Sequence, residues 1–323
     1  MLRKNFLLIS ITIALAIITS QTRCGNKITV LTDKIGGRSL GHKAVTRSLL
    51  AGLRKLNINF NHNPKSINEV GKTVIVLANV NALRQAIQLK RQGKIKKLLV
   101  GPNIMVRSDE HGSIMASKEV DICIVPSYWV QVAYEEDAPA LIGRIRSWPA
   151  GVNTEYWEPL KKRNENSRNV LVYVKHKQGQ SIYKPVANFL KKHNWTPIRI
   201  DYGKYNHDQF KAVLSKSKFA VFISKSESQG IALAEAWSMD VPTLVWNPGN
   251  VTIQGRKYTI SSSCPYLNDQ LGIDWKNLEE FEKIIKNLDE KLEIFSSRQW
   301  VLKNMSDEGC ARLMLEIIES INL

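Results

Sequence analysis

Short apolar runs recur along most of this chain, each followed by a stretch with apolar residues at helical spacing. Residues 27–32, 73–78, 97–100 and 120–125 read as buried strands, because apolar positions are continuous and β-branched residues are common. An amphipathic helix is expected from a glycine-containing loop at 36–41 through Leu56, and further helices precede the last two of these strands. The alternation restarts at 169, with strands at 169–174, 197–200, 219–223 and 242–246 and helices at 183–192, 208–215 and 230–239. Strands that are apolar on both faces and separated by helices predict parallel sheets covered on both sides. The two series are divided at 148–168, where 148–159 carries two prolines and a glycine and a polar run follows, which reads as an interdomain linker. A last helical stretch, 278–323, is long enough for one helix to close the second domain and another to return toward the first. The fold class expected is α/β, with two doubly wound Rossmann-like domains in series. Such sheets bind ligands at the carboxyl ends of their strands, so two that face each other make a cleft.

The amino terminus departs from this pattern. Arg3 and Lys4 precede the uncharged apolar run 6–19, the layout of a signal peptide or a short anchor. A stable span needs about 20 apolar residues, no small-x-small cleavage site is evident, and Arg23 next to Cys24 makes a poor lipoprotein signal. Anchor and cleaved signal both stay open, with an extension that has no targeting role as a third reading. The expectation is membrane association through 6–19 with the remaining chain on the cytoplasmic face, export being the alternative.

Charge and cysteine usage narrow the class. The 323 residues include 46 Lys and Arg against 29 Asp and Glu, a net charge of +17 that attracts polyanions. The basic segments 90–97 and 161–163 have no interleaved aromatic residues of the kind that stack bases, which argues against nucleic acid. A solvated surface or one facing an anionic membrane remains. The four cysteines, Cys24, Cys123, Cys264 and Cys310, form no C-x-x-C pair, so neither a zinc site nor a disulfide framework is suggested.

The chemistry concentrates in 227–235, Glu-Ser-Gln-Gly-Ile-Ala-Leu-Ala-Glu. The strand at 219–223 ends shortly before it and a helix starts near Gly230, which leaves Glu227 in a loop at the strand end. The N–H groups of Gly230, Ile231 and Ala232 fall at the helix start, where they lack intrahelical acceptors and sit at the positive end of the dipole, a seat for a phosphate or diphosphate. Glu235 lies about one and a half turns in and is placed to accept from vicinal hydroxyls such as those of ribose. Alone, two glutamates eight apart are as readily two solvated charges flanking an ordinary helix.

In context, this Glu-x7-Glu segment followed by the proline-led strand at 242 resembles the signature of retaining GT-B glycosyltransferases of family four. The resemblance extends over most of 27–310 and includes the Gly36-Gly37 loop, 121–127 as the last strand of the first domain, and Trp148-Pro-Ala-Gly-Val152. The division expected is an amino-terminal hydrophobic signal or anchor segment (1–24), an acceptor-side domain (25–155), a nucleotide-sugar domain (156–300) and a carboxyl-terminal helix (301–323), the roles of the two domains being what the resemblance implies. The resemblance further implies a hexosyltransferase-like enzyme that moves a sugar from a nucleotide-diphosphate donor to a saccharide or lipid-linked acceptor, retaining and metal-independent, with no cofactor beyond the co-substrate. No Asp-x-Asp sits at a strand end, in agreement. By the resemblance Glu227 contacts the donor sugar or its phosphate, and Glu235 holds the ribose. The family's arginine and lysine at the diphosphate fall to Lys175 and to Lys177 or Lys184, because the usual Gly-Arg is missing from 172–177. A lysine is a point charge without the bidentate fork of a guanidinium. Gly36 and Gly37 either let a substrate pass close to the backbone or make a simple turn. His111 is either a group beside the acceptor hydroxyl or an exposed loop histidine. Residues 261–267 resemble the stretch that borders the donor site, with Tyr266 there or in the core. Two other classes stay in view: a non-catalytic protein of GT-B shape, and another GT-B reaction such as epimerisation or phosphorolysis.

Overall fold

The computed structural model describes residues 27–32, 40–77, 79–102, 104–159, 167–175 and 178–322. The apolar segment 6–19, Gly36, Gly37 and Lys177 lie outside the described residues.

The first sheet contains β1 (Ile28–Leu31), β2 (Phe60–His62), β3 (Thr73–Val76), β4 (Lys97–Val100), β5 (Ile122–Val125) and β6 (Ile145–Ser147), all parallel in the order β2-β1-β3-β4-β5-β6. It is covered by α1 (Leu40–Lys55), α2 (Val80–Arg91), the short α3 (Glu110–Ser113) and α4 (Tyr128–Asp137). The second sheet pairs β7 (Asn169–Val174), β8 (Thr196–Asp201), β9 (Ser217–Ile223), β10 (Thr243–Trp246) and β13 (Gly272–Trp275), parallel in the order β13-β10-β9-β7-β8. Around it lie α5 (Gln178–Lys192), α6 (His207–Lys216), α7 (Ile231–Ser238), α8 (Leu278–Lys286), α9 (Leu288–Lys291) and α10 (Ser297–Asn304), and α11 (Asp307–Glu319) ends the chain's helices. The central strands are buried along nearly their whole length, as their unbroken apolar runs require. In each sheet the strand order reverses beside the first strand, between β1 and β3 and between β7 and β9. The α/β architecture of two Rossmann-like sheets is the one expected.

Three features correct the sequence reading. The first sheet does not end at 121–127: β6 adds an edge strand, only three residues long and with Arg146 exposed, too short and polar to leave an apolar run. Residues 148–159, within the segment read as an interdomain linker, are pinned by side-chain and backbone contacts. Trp148 is fully buried and its indole donates to the Cys310 carbonyl at 2.7 Å, while the Val152 N–H donates to Met305 O at 2.8 Å. A Cβ on Gly151 would stand 2.6 Å from Asp307 Cα, so only glycine admits this approach. Third, a hairpin of β11 (Val251–Ile253) and β12 (Arg256–Tyr258) leaves the second domain after β10 and buries Val251 and Tyr258 in the first domain's core. Its turn has positive φ at both Gln254 and Gly255, the two-residue geometry that matches strand twist.

The return helix is present. Cys310, Ala311, Met314, Ile317 and Ile318 of α11 share a core with Leu49 and Leu53 of α1 and with Trp148. Each such large side chain contributes about 1.5–3 kcal/mol by leaving water. Gly52 permits the contact, since a Cβ there would lie 2.1 Å from Asp307 O.

Candidate functional site

The carboxyl ends of β7 and β9 flank the second sheet's switch point, the position where an open parallel sheet leaves a crevice. The crevice here is a cavity of about 460 Å³ that Gly41, His42 and Val45 of α1 also line. Lys175 follows β7 and Glu227 follows β9, and the sheet register brings the two strand ends together, Val174 opposite Ile223. Lys175 Nζ lies 2.9 and 2.8 Å from the two carboxylate oxygens of Glu227, and Ser224 Oγ donates to one of them at 2.8 Å. Both charged side chains are mostly buried yet open on the cavity, and the Tyr202 ring sits 4.8 Å from Nζ.

The loop that carries Glu227 is tied at several points. Glu227 N–H donates to Ser262 O at 2.8 Å, Ser263 Oγ donates to Ser224 O at 2.7 Å, and Gln229 Oε1 accepts from Ala150 N–H at 3.1 Å. The 261–267 segment therefore backs this loop, and its Tyr266 hydroxyl crosses to donate to Pro126 O of the first domain. Gly230 caps α7 with φ 74°, a left-handed conformation that favours glycine, and its carbonyl accepts from Leu233 and Ala234 N–H. The N–H groups of Ile231 and Ala232 meet no backbone acceptor among the described residues, and both residues line the cavity. Free N–H groups at a helix start are the kind that suit an anion, and Lys175 lines the same cavity.

Glu235 lines the same cavity from deeper in α7 and is only 6% exposed. Burial pushes its carboxyl up to about 8, the Arg47 guanidinium opposing that rise only in part. Two glutamates of one motif thus meet different surroundings, one ion-paired at the strand end and one buried in the helix.

Other expected residues fall elsewhere. His111 is not brought to the cleft: the chain after β4 turns through left-handed His111, Gly112 and Ser113 and sets them in a separate depression with Arg84 and Arg91 of α2. Lys184 is exposed on α5 and does not line the cavity. Tyr173, Tyr202, Tyr205, His42 and His207 do line it and were missed. Tyr202 carries the one usable signal, an aromatic–glycine pair directly after a strand, at a sheet end where ligands sit. No group of three or more metal-ligating side chains occurs among the described residues.

No protein-family model matches the sequence, and neither does any curated protein. Solved structures do match the fold. The apo form of the lipopolysaccharide outer core galactosyltransferase WaaB aligns with a TM-score of 0.57 at 12% identity, over 91% of this chain and 99% of that one. Sucrose-phosphate synthase from Thermosynechococcus elongatus aligns at 0.54 and 10% identity, over 91% and 98%. TarM aligns at 0.52 and 13% identity, over 85% of this chain and 58% of its own. At such identities the likeness establishes the GT-B arrangement of the two domains.

Proposed function

We propose that this chain is a glycosyltransferase that takes a sugar from a nucleoside-diphosphate donor and passes it to a saccharide or lipid-linked acceptor. The observation that carries this reading is the Lys175–Glu227 pair, set at the switch point within one cavity with the start of α7. The cavity volume falls within the range of about 300–1,000 Å³ that small-molecule sites occupy.

As the bond from the sugar's anomeric carbon to the diphosphate oxygen lengthens, negative charge grows on the leaving phosphate. The Lys175 ammonium and the Ile231 and Ala232 N–H groups share that cavity, and groups held by the fold stabilise such charge with little reorganisation. Glu227 holds Lys175 in place and faces the sugar. Glu235 accepts from the ribose hydroxyls, and those donors replace the hydration its carboxylate lacks. Retention of configuration and independence from metal follow from the family resemblance. We place the site on the cytoplasmic face, where nucleotide sugars are made, with 6–19 holding the chain at the membrane.

Incubation of the purified chain with a panel of nucleotide sugars tests this. The expected result is release of nucleoside diphosphate from at least one donor, with Glu235→Ala raising KM for that donor about tenfold through lost hydrogen bonds to the ribose. Absence of any donor turnover or binding by the wild type would overturn the proposal.

A further inference from the structure

Glu227 is held by its side chain, but its backbone carbonyl is also engaged, and from the other domain. Trp129, on α4 of the first domain, is 7% exposed, and its indole Nε1–H donates to Glu227 O at 2.9 Å. Among the described residues the only cis peptide is Gly101–Pro102, so the bond between Glu227 and Ser228 is trans and planar. In such a unit the N–H points opposite to the C=O. Turning the Glu227 carbonyl onto the indole therefore turns the Ser228 N–H away from α4. Ser228 lines the cavity, and its N–H has no acceptor among the described residues.

We infer that Trp129 is a positioning residue for the diphosphate seat: it locks the Glu227–Ser228 peptide so that the Ser228 N–H joins Ile231 and Ala232 N–H as an anion donor. The inference rests on the donor-site reading above. A rotation of this peptide would exchange the donor for a carbonyl oxygen, which repels a phosphate. The neighbouring ties do not prevent that rotation, because Ser262 O holds the Glu227 N–H and Ala150 N–H holds the Gln229 side chain, one on each side of the peptide. The indole is the contact that reaches the carbonyl itself. A residue of the first domain thereby completes the phosphate site of the second, so the site is whole only while the two domains are docked.

Substitution by Phe and by His separates this role from bulk packing. Phe removes the N–H, whereas an imidazole superposes its Nε2 on the position of the indole Nε1 and can restore the donor while filling less space than Phe. Affinity for inorganic pyrophosphate, by titration calorimetry on the full chain, reads the seat independently of base, sugar and acceptor. The expected result is binding weakened about tenfold or more in Trp129→Phe, the scale of one lost donor to a charged group, and binding within about threefold of wild type in Trp129→His. Thermal unfolding of each variant confirms that it is folded. Wild-type affinity in folded Trp129→Phe would overturn the inference and leave the donor-site reading standing. Equal loss in both variants would overturn it too, since bulk alone would then explain the effect. Should Trp129→Phe not fold, a folded Trp129→His that has lost tenfold in affinity would overturn it, and one that has not would support it. Failure of the wild type to bind pyrophosphate would remove the donor-site reading and this inference together.

Discussion

Glu227 and Glu235 belong to one nine-residue segment, yet they meet different surroundings. Glu227 sits at the strand end, ion-paired to Lys175 and accepting from Ser224 Oγ. Burial raises Glu235 to about 8 from 4.5, so between those values the folded protein keeps a proton that the unfolded chain releases. Its favourable contribution is complete below about 4.5 and is lost as pH climbs toward 8. Glu235→Gln stays neutral throughout and is expected to melt close to wild type at pH 5 but higher at pH 9, the gap between 4.5 and about 8 bounding the gain at roughly 5 kcal/mol. Melting curves of both proteins at the two pH values check this, and a gap that does not change with pH would contradict it. At the other carboxylate, Lys175→Met removes the cation and the charge at the leaving phosphate. Donor turnover is expected to fall about a hundredfold, with Lys175→Arg retaining more, as kcat/KM measurements would show.

Elements differ in how far their own residues announce them. Strands β3, β4, β7 and β9 are continuous apolar runs, and their positions could be read directly. The three-residue β2, β6, β11 and β12 carry polar or half-buried positions and owe their pairing to neighbours in the sheet. Proline and glycine made 148–159 look like a linker, because the contacts that pin Trp148 and Val152 come from the chain's last helices, some 150 positions away. The candidate site divides in the same way. Glu227, Gly230, Glu235 and Lys175 were legible, three from one loop and helix and one from the end of a strand. Trp129 and the tyrosines were not, since only the fold brings them to that loop. The junction of α1 and α11 offers a direct test of packing. Gly52→Ala forces a methyl group to within 2.1 Å of Asp307 O, and a loss of about 2–4 kcal/mol in urea unfolding is expected. Wild-type stability would show that the helices separate freely.

At the scale of the molecule, the two domains are bound by groups that each donates to the other. The hairpin's Tyr258 hydroxyl donates to Asp137 at 2.7 Å, and Arg256 pairs with the same carboxylate at 2.7 Å. Arg107 approaches it to 3.5 Å, with Asp137 only 1% exposed. Asp137→Ala takes the carboxylate from Arg256 and the acceptor from the Tyr258 hydroxyl, while Arg107 keeps Asp109, and a loss of about 1–3 kcal/mol in unfolding free energy is expected, whereas an exposed surface pair would lose under about 1. Because α11, the hairpin and Trp129 all cross the cleft, the catalytic geometry proposed above depends on the whole chain rather than on either sheet alone. The most direct test of that geometry is nucleoside-diphosphate release from a productive nucleotide sugar by wild type and by Glu227→Gln, the two proteins matched for thermal unfolding. Wild-type turnover with a loss of about a thousandfold in Glu227→Gln is expected, since the neutral amide neither holds Lys175 nor carries charge to the reaction centre. Turnover by Glu227→Gln at the wild-type rate would contradict the assignment of the reaction centre.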